Sequence, residues 1–307
     1  MNRQRKLLFV VNPHAGKEAV KSYFLKIVDL FVRSGWQPTV YTTQKAGELA
    51  SVVESRAADY DLVICCGGDG TLNETVNGLM RLENPPALGY IPAGTTNDFA
   101  SSLGLPKNMM KAAEAAVGGV PVHVDVGRFR NRHFTYVAAF GAFTDVPYVT
   151  SQDSKNVLGK LAYLVEGAQR LSSLTTYQLK VEHDGGVVEG EFLLGLISNS
   201  SYVAGLPVGR LVDVSLNDGL MEVNLVRKPS QVLELTRVAS NLLLGELDPE
   251  VILSFKTQKL RILAQEPLTW TLDGEFGGEY AQAEIESLPR RLCINVPPER
   301  LIPKPKK

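Results

Sequence analysis

Four apolar runs, each closed by a turn cluster and joined by helical patterns, restrict what the first 125 residues can form. Lys6 to Val11 is continuous and apolar, as a strand buried on both faces of a parallel sheet requires. It ends at Asn12-Pro13-His14-Ala15-Gly16. Tyr23, Phe24, Ile27, Val28, Leu30 and Phe31 then share one wide helical face, and Ser34-Gly35 closes that helix. Pro38 to Thr43 reads as a second strand, Gly47 to Ala58 as a helix, and Asp61 to Cys66 as a third strand. Gly67-Gly68-Asp69-Gly70 breaks that strand, Thr71 to Leu82 is helical, and Ala87 to Ile91 is a fourth strand leading into Pro92 to Asp98. This alternation predicts an α/β domain with a doubly wound, mostly parallel sheet. Such sheets bind ligands at the carboxyl ends of their strands.

After about Val126 the pattern changes. Phe134 to Phe140, Tyr177 to Val181, Val187 to Ile197, Met221 to Val226, Ile252 to Phe255, Lys259 to Leu263, Leu268 to Leu272 and Arg291 to Val296 read as strands, several with period-2 character. Helical patterns occur at Leu158 to Leu171 and at about Gln231 to Leu244. Strands without intervening helices pair antiparallel. The expected organisation is an α/β domain over 1–127 and a β-rich antiparallel domain over 128–289, with 290–307 packing back on the first. The active site is expected in the cleft between them, since ligand sites favour domain interfaces.

The 307-residue length suits two domains. No stretch approaches the roughly 18 apolar residues of a membrane-spanning helix. The basic start, Met1 to Lys6, leads into a strand-like run rather than a signal-peptide h-region. A formal charge of -1 disfavours a protein built to coat nucleic acid. Charge is uneven, however: Arg290, Arg291, Arg300, Lys304, Lys306 and Lys307 make the tail basic. It reads either as a solvated end or as a patch that meets anionic lipid or phosphate. Cys65, Cys66 and Cys293 form no CxxC pair and suit a reducing compartment, and His14, His123, His133 and His183 lack metal-ligand spacing.

Three glycine-containing loops, Asn12 to Gly16, Gly67 to Thr71 and Gly94 to Asp98, each follow an apolar strand. Glycine permits close approach of backbone to a ligand, and a following helix N-terminus favours phosphate. Ordinary strand-to-helix turns account for any one loop alone; three at one sheet edge would form an extended cradle. Asp69 between two glycines places a carboxylate among phosphate-binding amides, which suits contact through Mg²⁺. Neither a GxxxxGK[ST] loop nor a dinucleotide GxGxxG is present, because Asn73 stands where the latter needs its third glycine.

Gly67-Gly68-Asp69-Gly70-Thr71-Leu72-Asn73-Glu74 resembles the nucleotide-binding signature of the diacylglycerol kinase catalytic-domain superfamily, which includes bacterial soluble lipid kinases. Asn12 to Gly16 resembles its first loop, Pro92 to Ala100 its third, and Leu272-Asp273-Gly274-Glu275 its late catalytic motif. Thr43-x-x-x-Gly47-Glu48 matches a weaker motif. The resemblance implies that Gly67, Gly68, Asp69, Gly70, Thr71, Leu72, Asn73, Gly94, Thr95, Asn97 and Asp98 hold the nucleotide, with Asn12 and Thr43 nearby. Asp69 and Asp98 would position Mg²⁺-ATP, and Glu275 would be the general base. As a residue alone, without the other motifs, Glu275 reads as a solvated turn acid. A structural Mg²⁺ is implied at Asp218 with the carbonyls of Ser215 and Leu220, linked by Asp125 to the active site. Asn217-Asp218-Gly219-Leu220 also reads as a hairpin turn, and Asp125 as a strand-end acid. Ser101 stands where some relatives carry Arg.

The expected activity is ATP- and Mg²⁺-dependent phosphorylation of a lipid alcohol, with diacylglycerol leading to phosphatidic acid in phospholipid biosynthesis. Phosphatidylglycerol, a sphingoid base, a NAD kinase activity and a non-catalytic nucleotide- or lipid-binding module are the alternatives. The missing span then implies a cytoplasmic protein that contacts an anionic membrane surface peripherally. The segment Asn156 to Leu171 and the helix at Gln231 to Leu244 suit either the core or lipid. Exposed sheet edges leave room for a homodimer.

Overall fold

The computed structural model describes residues 4–141, 175–200, 202–203, 206–207, 215–228 and 249–301. The helical segments expected at 156–171 and 231–244, and Lys304, Lys306 and Lys307, lie outside the described residues. The chain divides into two compact units, Met1–Val124 with Arg290–Lys307, and Asp125–Pro289.

The first unit contains β1 (Arg5–Val11), α1 (Ala19–Arg33), β2 (Trp36–Thr42), α2 (Leu49–Arg56), β3 (Leu62–Gly67), α3 (Asp69–Leu79), β4 (Ala87–Pro92), α4 (Asp98–Leu103) and α5 (Met109–Gly118). The sheet is parallel in the order β4-β3-β1-β2. Both faces of β1, β3 and β4 are covered, which is why these strands read as unbroken apolar runs. By contrast, β2 lies at the edge and, after buried Trp36, mixes exposed and half-buried residues. On α1, Val20, Ile27 and Phe31 are buried, and Phe31 meets Phe9 of β1 edge-on, ring centres 5.1 Å apart. Fully burying a side chain of this size contributes about 1.5–3 kcal/mol.

Two helices in this unit escape sequence inspection. On α5 the buried residues are Ala112, Ala113, Ala115 and Ala116, too small to mark an apolar stripe. Their size is what the packing demands: a Cβ on Gly89 of β4 would sit 2.7 Å from the Cβ of Ala116. Asn108 caps this helix, its Oδ1 accepting the Met110 and Lys111 N–H groups at 3.1 Å each. α4 is only six residues long.

The chain enters the second unit along β5 (Val120–Phe129). There follow β6 (Arg132–Phe134), β7 (Val137–Gly141), β8 (Tyr177–His183), β9 (Gly186–Ser198), the short pair β10 (Tyr202–Val203) and β11 (Leu206–Pro207), β12 (Met221–Arg227), β13 (Ile252–Thr257), β14 (Lys259–Leu272) and β15 (Glu275–Val296). Within this unit every pairing with a resolved register is antiparallel. The long strands β9 and β14 each pair with β7 at one end and β8 at the other. Trp270 is fully buried between Phe129 and Phe140, ring centres 4.8 and 4.9 Å away.

Three sequence expectations need correction. The runs at 259–263 and 268–272 are one strand, β14, whose pairing shifts register between Leu263 and Leu268. The run from 134 to 140 is two strands, interrupted at Thr135 and Tyr136. The run from 291 to 296 is the end of β15, which starts at Glu275 and leaves the second unit at Pro289. In the first unit, Ile294 of β15 pairs parallel with Leu88 of β4. Arg291 there donates to the carbonyls of Leu82 and Glu83 at 2.6 and 3.1 Å, and Asn295 to that of Ala116 at 2.7 Å. Arg291 therefore ties strand to helix-end backbone, a use the basic-patch reading did not contain.

Candidate active site

Because β1, β2, β3 and β4 are parallel and in register, Val11 beside Thr42 and Cys66, and Gly67 beside Pro92, the segments after them leave one edge of the sheet. The order reverses between β1 and β3, the position at which doubly wound sheets open a ligand crevice. Asn12 spans it. Its N–H donates to the Cys66 carbonyl at 2.9 Å, and its Nδ2 reaches the Thr71 hydroxyl at 3.3 Å. Thr43, after β2, donates its N–H to the Val11 carbonyl at 2.9 Å. The structure thus places Asn12, Thr43 and the loop after β3 along one rim of the first unit.

The glycines in these loops serve contact. A Cβ on Gly67 would fall 2.5 Å from the Thr71 side chain, and one on Gly94 would fall 2.6 Å from the Gly68 Cα. The second and third loops touch backbone to backbone. Asp69 opens α3, where the helix dipole favours negative charge, and its Oδ2 accepts the Asn97 N–H at 2.9 Å. Asn97 has a left-handed backbone (φ 51°) and staples its own loop: Oδ1 accepts the Gly94 N–H at 2.9 Å, and Nδ2 donates to the Gly94 carbonyl at 2.7 Å. Asp98 begins α4 and is buried, Thr95 is exposed, and the Ser101 hydroxyl donates to the Asn97 carbonyl at 3.1 Å.

Not every expected nucleotide residue faces this edge. The Leu72 side chain is fully buried and its N–H donates to the Gly68 carbonyl, so Leu72 supports the loop from behind. Asn73 is also buried and accepts from Asn77 Nδ2 at its carbonyl and its Oδ1. Sequence inspection missed two supports. The Tyr90 hydroxyl lies 3.3 Å from both the Gly67 carbonyl and Asn97 Oδ1, and burial raises its pKa well above the ordinary value. Glu74 accepts the Gly47 and Leu49 N–H groups at 2.9 Å each, holding the start of α2. Glu74 closes the glycine motif, and that position was the available signal. Glu48 accepts the Gln44 N–H at 2.6 Å, and this bond foremost holds its carboxyl below the usual range. Burial pushes the Cys65 thiol up to about 12, so it is inert.

In the second unit, Asp273 and Gly274 form the two-residue turn between β14 and β15, with φ of 50° and 83°. Such paired positive φ values are what Asp-Gly hairpins adopt. Glu275, the first residue of β15, is exposed and pairs with Leu272. Elsewhere in this unit, buried Asp125 holds the 215–220 loop: its Oδ2 accepts the Gly219 N–H at 2.6 Å, and its own N–H donates to the Leu216 carbonyl at 2.8 Å. Asp218 Oδ1 accepts the Leu220 N–H at 3.1 Å, and Oδ2 lies 3.5 Å from Lys256 Nζ. A carboxylate beside backbone carbonyls on a tight turn suits a hard divalent cation in kind. Lys256 already faces that carboxylate, and it also lies 3.3 Å from Oε1 of buried Glu222, whose pKa burial pushes up to about 7. Among the described residues no three His, Cys, Asp or Glu side chains converge as a metal cluster.

Residues 6–129 match the diacylglycerol kinase catalytic domain, and residues 141–296 match the YegS C-terminal NAD kinase beta sandwich-like domain. A diacylglycerol kinase of Bacillus subtilis (strain 168) is 35% identical over 295 residues, covering 95% of this chain and 96% of its own. The chain belongs to the diacylglycerol kinase catalytic domain family. Another relative, a diacylglycerol kinase of Staphylococcus carnosus (strain TM300), is 36% identical over 282 residues, 90% of each chain. A solved diacylglycerol kinase structure from Bacillus anthracis str. Sterne superposes with a TM-score of 0.77 at 26% identity, over 98% of this chain and 100% of its own. The family match covers both units, so the glycine loops and the Asp273–Glu275 hairpin fall within regions that the family's two domains share.

Proposed function

We propose that this chain is a diacylglycerol kinase, moving the γ-phosphate of ATP to the free hydroxyl of diacylglycerol and yielding phosphatidic acid. The observation that carries this reading is Asp69, set between two glycines at the start of α3 and bonded to the Asn97 N–H of the neighbouring loop. A carboxylate held among helix-terminal amides is suited to a nucleotide whose phosphates carry a divalent ion.

In this reading residues 1–124 with 290–307 form the nucleotide-binding unit and 125–289 the lipid-substrate unit. Gly67 to Thr71, with Gly94, Thr95 and Asn97, line the phosphates; Asn12 and Thr43 flank them; Leu72 and Asn73 shape the loop from within. Asp69 and Asp98 are the carboxylates that would position Mg²⁺. Mg²⁺ held there would supply neutralisation of charge on the transferring phosphoryl group. Glu275 takes the proton of the lipid hydroxyl as its oxygen attacks the γ-phosphorus and ADP departs. A second Mg²⁺ would sit on the Asp218 carboxylate and the carbonyls of Ser215 and Leu220, with Asp125 joining that loop to the site. Its place beside Asp218 requires Lys256 to withdraw.

Diacylglycerol resides in a bilayer, and among the described residues no helix is long and apolar enough to cross one. In this reading the enzyme works at the cytoplasmic face of the bilayer, where ATP and the lipid are both within reach, and meets the membrane from its surface.

The test is phosphoryl transfer from labelled ATP to diacylglycerol, phosphatidylglycerol and a sphingoid base in mixed micelles, and to NAD in solution. Diacylglycerol is the expected acceptor, and Glu275→Gln should lower its rate by about 10²–10⁴-fold. Transfer to NAD and to no lipid would overturn the reading. Full activity of Glu275→Gln would remove the base assignment.

A further inference from the structure

The residues on both sides of Glu275 are tied to one neighbouring segment. Asp273, 3% exposed, accepts four hydrogen bonds from it: Oδ2 takes the Thr135 N–H at 2.7 Å and the Thr135 hydroxyl at 2.9 Å, while Oδ1 takes the Tyr136 and Val137 N–H groups at 2.9 and 3.1 Å. The Asp273 N–H donates to the Val137 carbonyl at 2.8 Å. On the far side of Glu275, Arg132 Nη1 donates to the Phe276 carbonyl at 2.8 Å.

A two-residue hairpin needs none of this. Asp-Gly and Asn-Gly turns form through local backbone preference alone. A buried carboxylate is costly unless its acceptor sites are filled, and here the two oxygens accept four bonds from residues more than 130 positions away in sequence. The gap between β6 and β7, at Thr135 and Tyr136, supplies three of those donors. The break in pairing there and the buried acid are two halves of one device.

We infer that Asp273, assisted by Arg132, is a positioning residue for phosphoryl transfer: it fixes the turn so that the Glu275 carboxylate is held in reach of the lipid hydroxyl. This rests on the reading of Glu275 as general base. Misplacing a catalytic group by about 1 Å can cost about 10²-fold in rate. The device thus acts on the chemical step and leaves substrate binding nearly unchanged.

The experiment compares Asp273→Asn, Arg132→Gln and Glu275→Gln in the full chain, measuring kcat, KM for ATP, KM for diacylglycerol in mixed micelles, and Tm. Asn preserves the turn preference but replaces one acceptor oxygen with a donor facing the Thr135 N–H. Asp273→Asn is expected to lower kcat about 100-fold with both KM values within about threefold of wild type. Arg132→Gln should lower kcat about tenfold with Tm unchanged. A folded Asp273→Asn variant with wild-type kcat would overturn the inference, as would a rate loss that follows only the fraction of folded protein. If Asp273→Asn does not fold, Arg132→Gln decides, and an unchanged kcat there is fatal. Full activity in Glu275→Gln would instead defeat the base assignment itself. An inactive Glu275→Gln beside fully active Asp273→Asn and Arg132→Gln would defeat only the positioning role.

Discussion

Asn97 reaches back 28 positions to give its backbone N–H to Asp69, at 2.9 Å. This bond fastens the third glycine loop to the second, and it exists because Asn97 holds a left-handed backbone with both ends of its amide locked on Gly94. Asparagine tolerates that conformation where most residues do not.

Replacing Asn97 separates the two contributions. Asn97→Ala loses the side-chain bonds and adds backbone strain, and should cost about 2–3 kcal/mol. Asn97→Gly loses only the bonds and should cost about 1 kcal/mol less. Chemical denaturation measures both. Each variant should also raise the KM for ATP, since the backbone N–H that Asp69 accepts is no longer held in place by the side-chain bonds to Gly94.

Gly94→Ala would bring a methyl group to 2.6 Å from the Gly68 Cα, forcing the two loops apart. ATP binding by calorimetry should fall below detection, while Gly118→Ala, whose Cβ meets nothing within 4 Å, binds normally. Gly118 ends α5, so its substitution should be neutral or stabilising by about 0.5 kcal/mol.

Asp184 organises the turn between β13 and β14. Its Oδ2 accepts the Thr257 hydroxyl and the Gln258 N–H at 2.8 Å each and the Lys259 N–H at 3.1 Å, and these bonds, that of Thr257 first, lower its pKa. A depressed carboxylate pKa gives stability that is present above the unfolded-state value, 3.8, and is lost as pH falls through the folded-state value. Asp184→Ala should therefore lower Tm at neutral pH, and the gap from wild type should narrow only below about pH 4. A gap that closes already at pH 6 would contradict this assignment.

Asp218 gives a metal-specific outcome. In nucleotide-free protein, exchanging chelator for Mg²⁺ should raise the Tm of the wild type and leave that of Asp218→Asn unmoved, because the carboxylate charge is what a hard cation requires. Equal responses in both would remove the second ion.

The parallel sheet was legible because burial on both faces leaves a plain mark: Leu7 to Val11 and Leu62 to Cys66 have no solvent side and carry no polar alternation. The glycine loops were legible for a similar reason, since Gly67 answers Thr71 four residues on and Gly94 answers Asn97 three residues on. What stayed hidden depends on distant partners. Asp273 looks like any turn aspartate until Thr135, Tyr136 and Val137 are folded against it. α5 stayed hidden because its buried face is alanine, sized to the absent side chain of Gly89. Of β15 only 291–296 read as a strand, because Gly277 and Gly278 sit at a register shift and interrupt any alternation near its start.

The passage of β15 from the second unit into the first sets an order for synthesis. Residues 1–124 leave the ribosome with the Leu88 edge of β4 still awaiting its neighbour Ile294, which is made only after Asp125–Pro289. At translation rates of about 5–20 residues per second, that edge waits roughly 10–30 s. A nascent first unit is thus a sheet with an open side, vulnerable to pairing with another chain. The last strand to be made is the one that finishes the first unit.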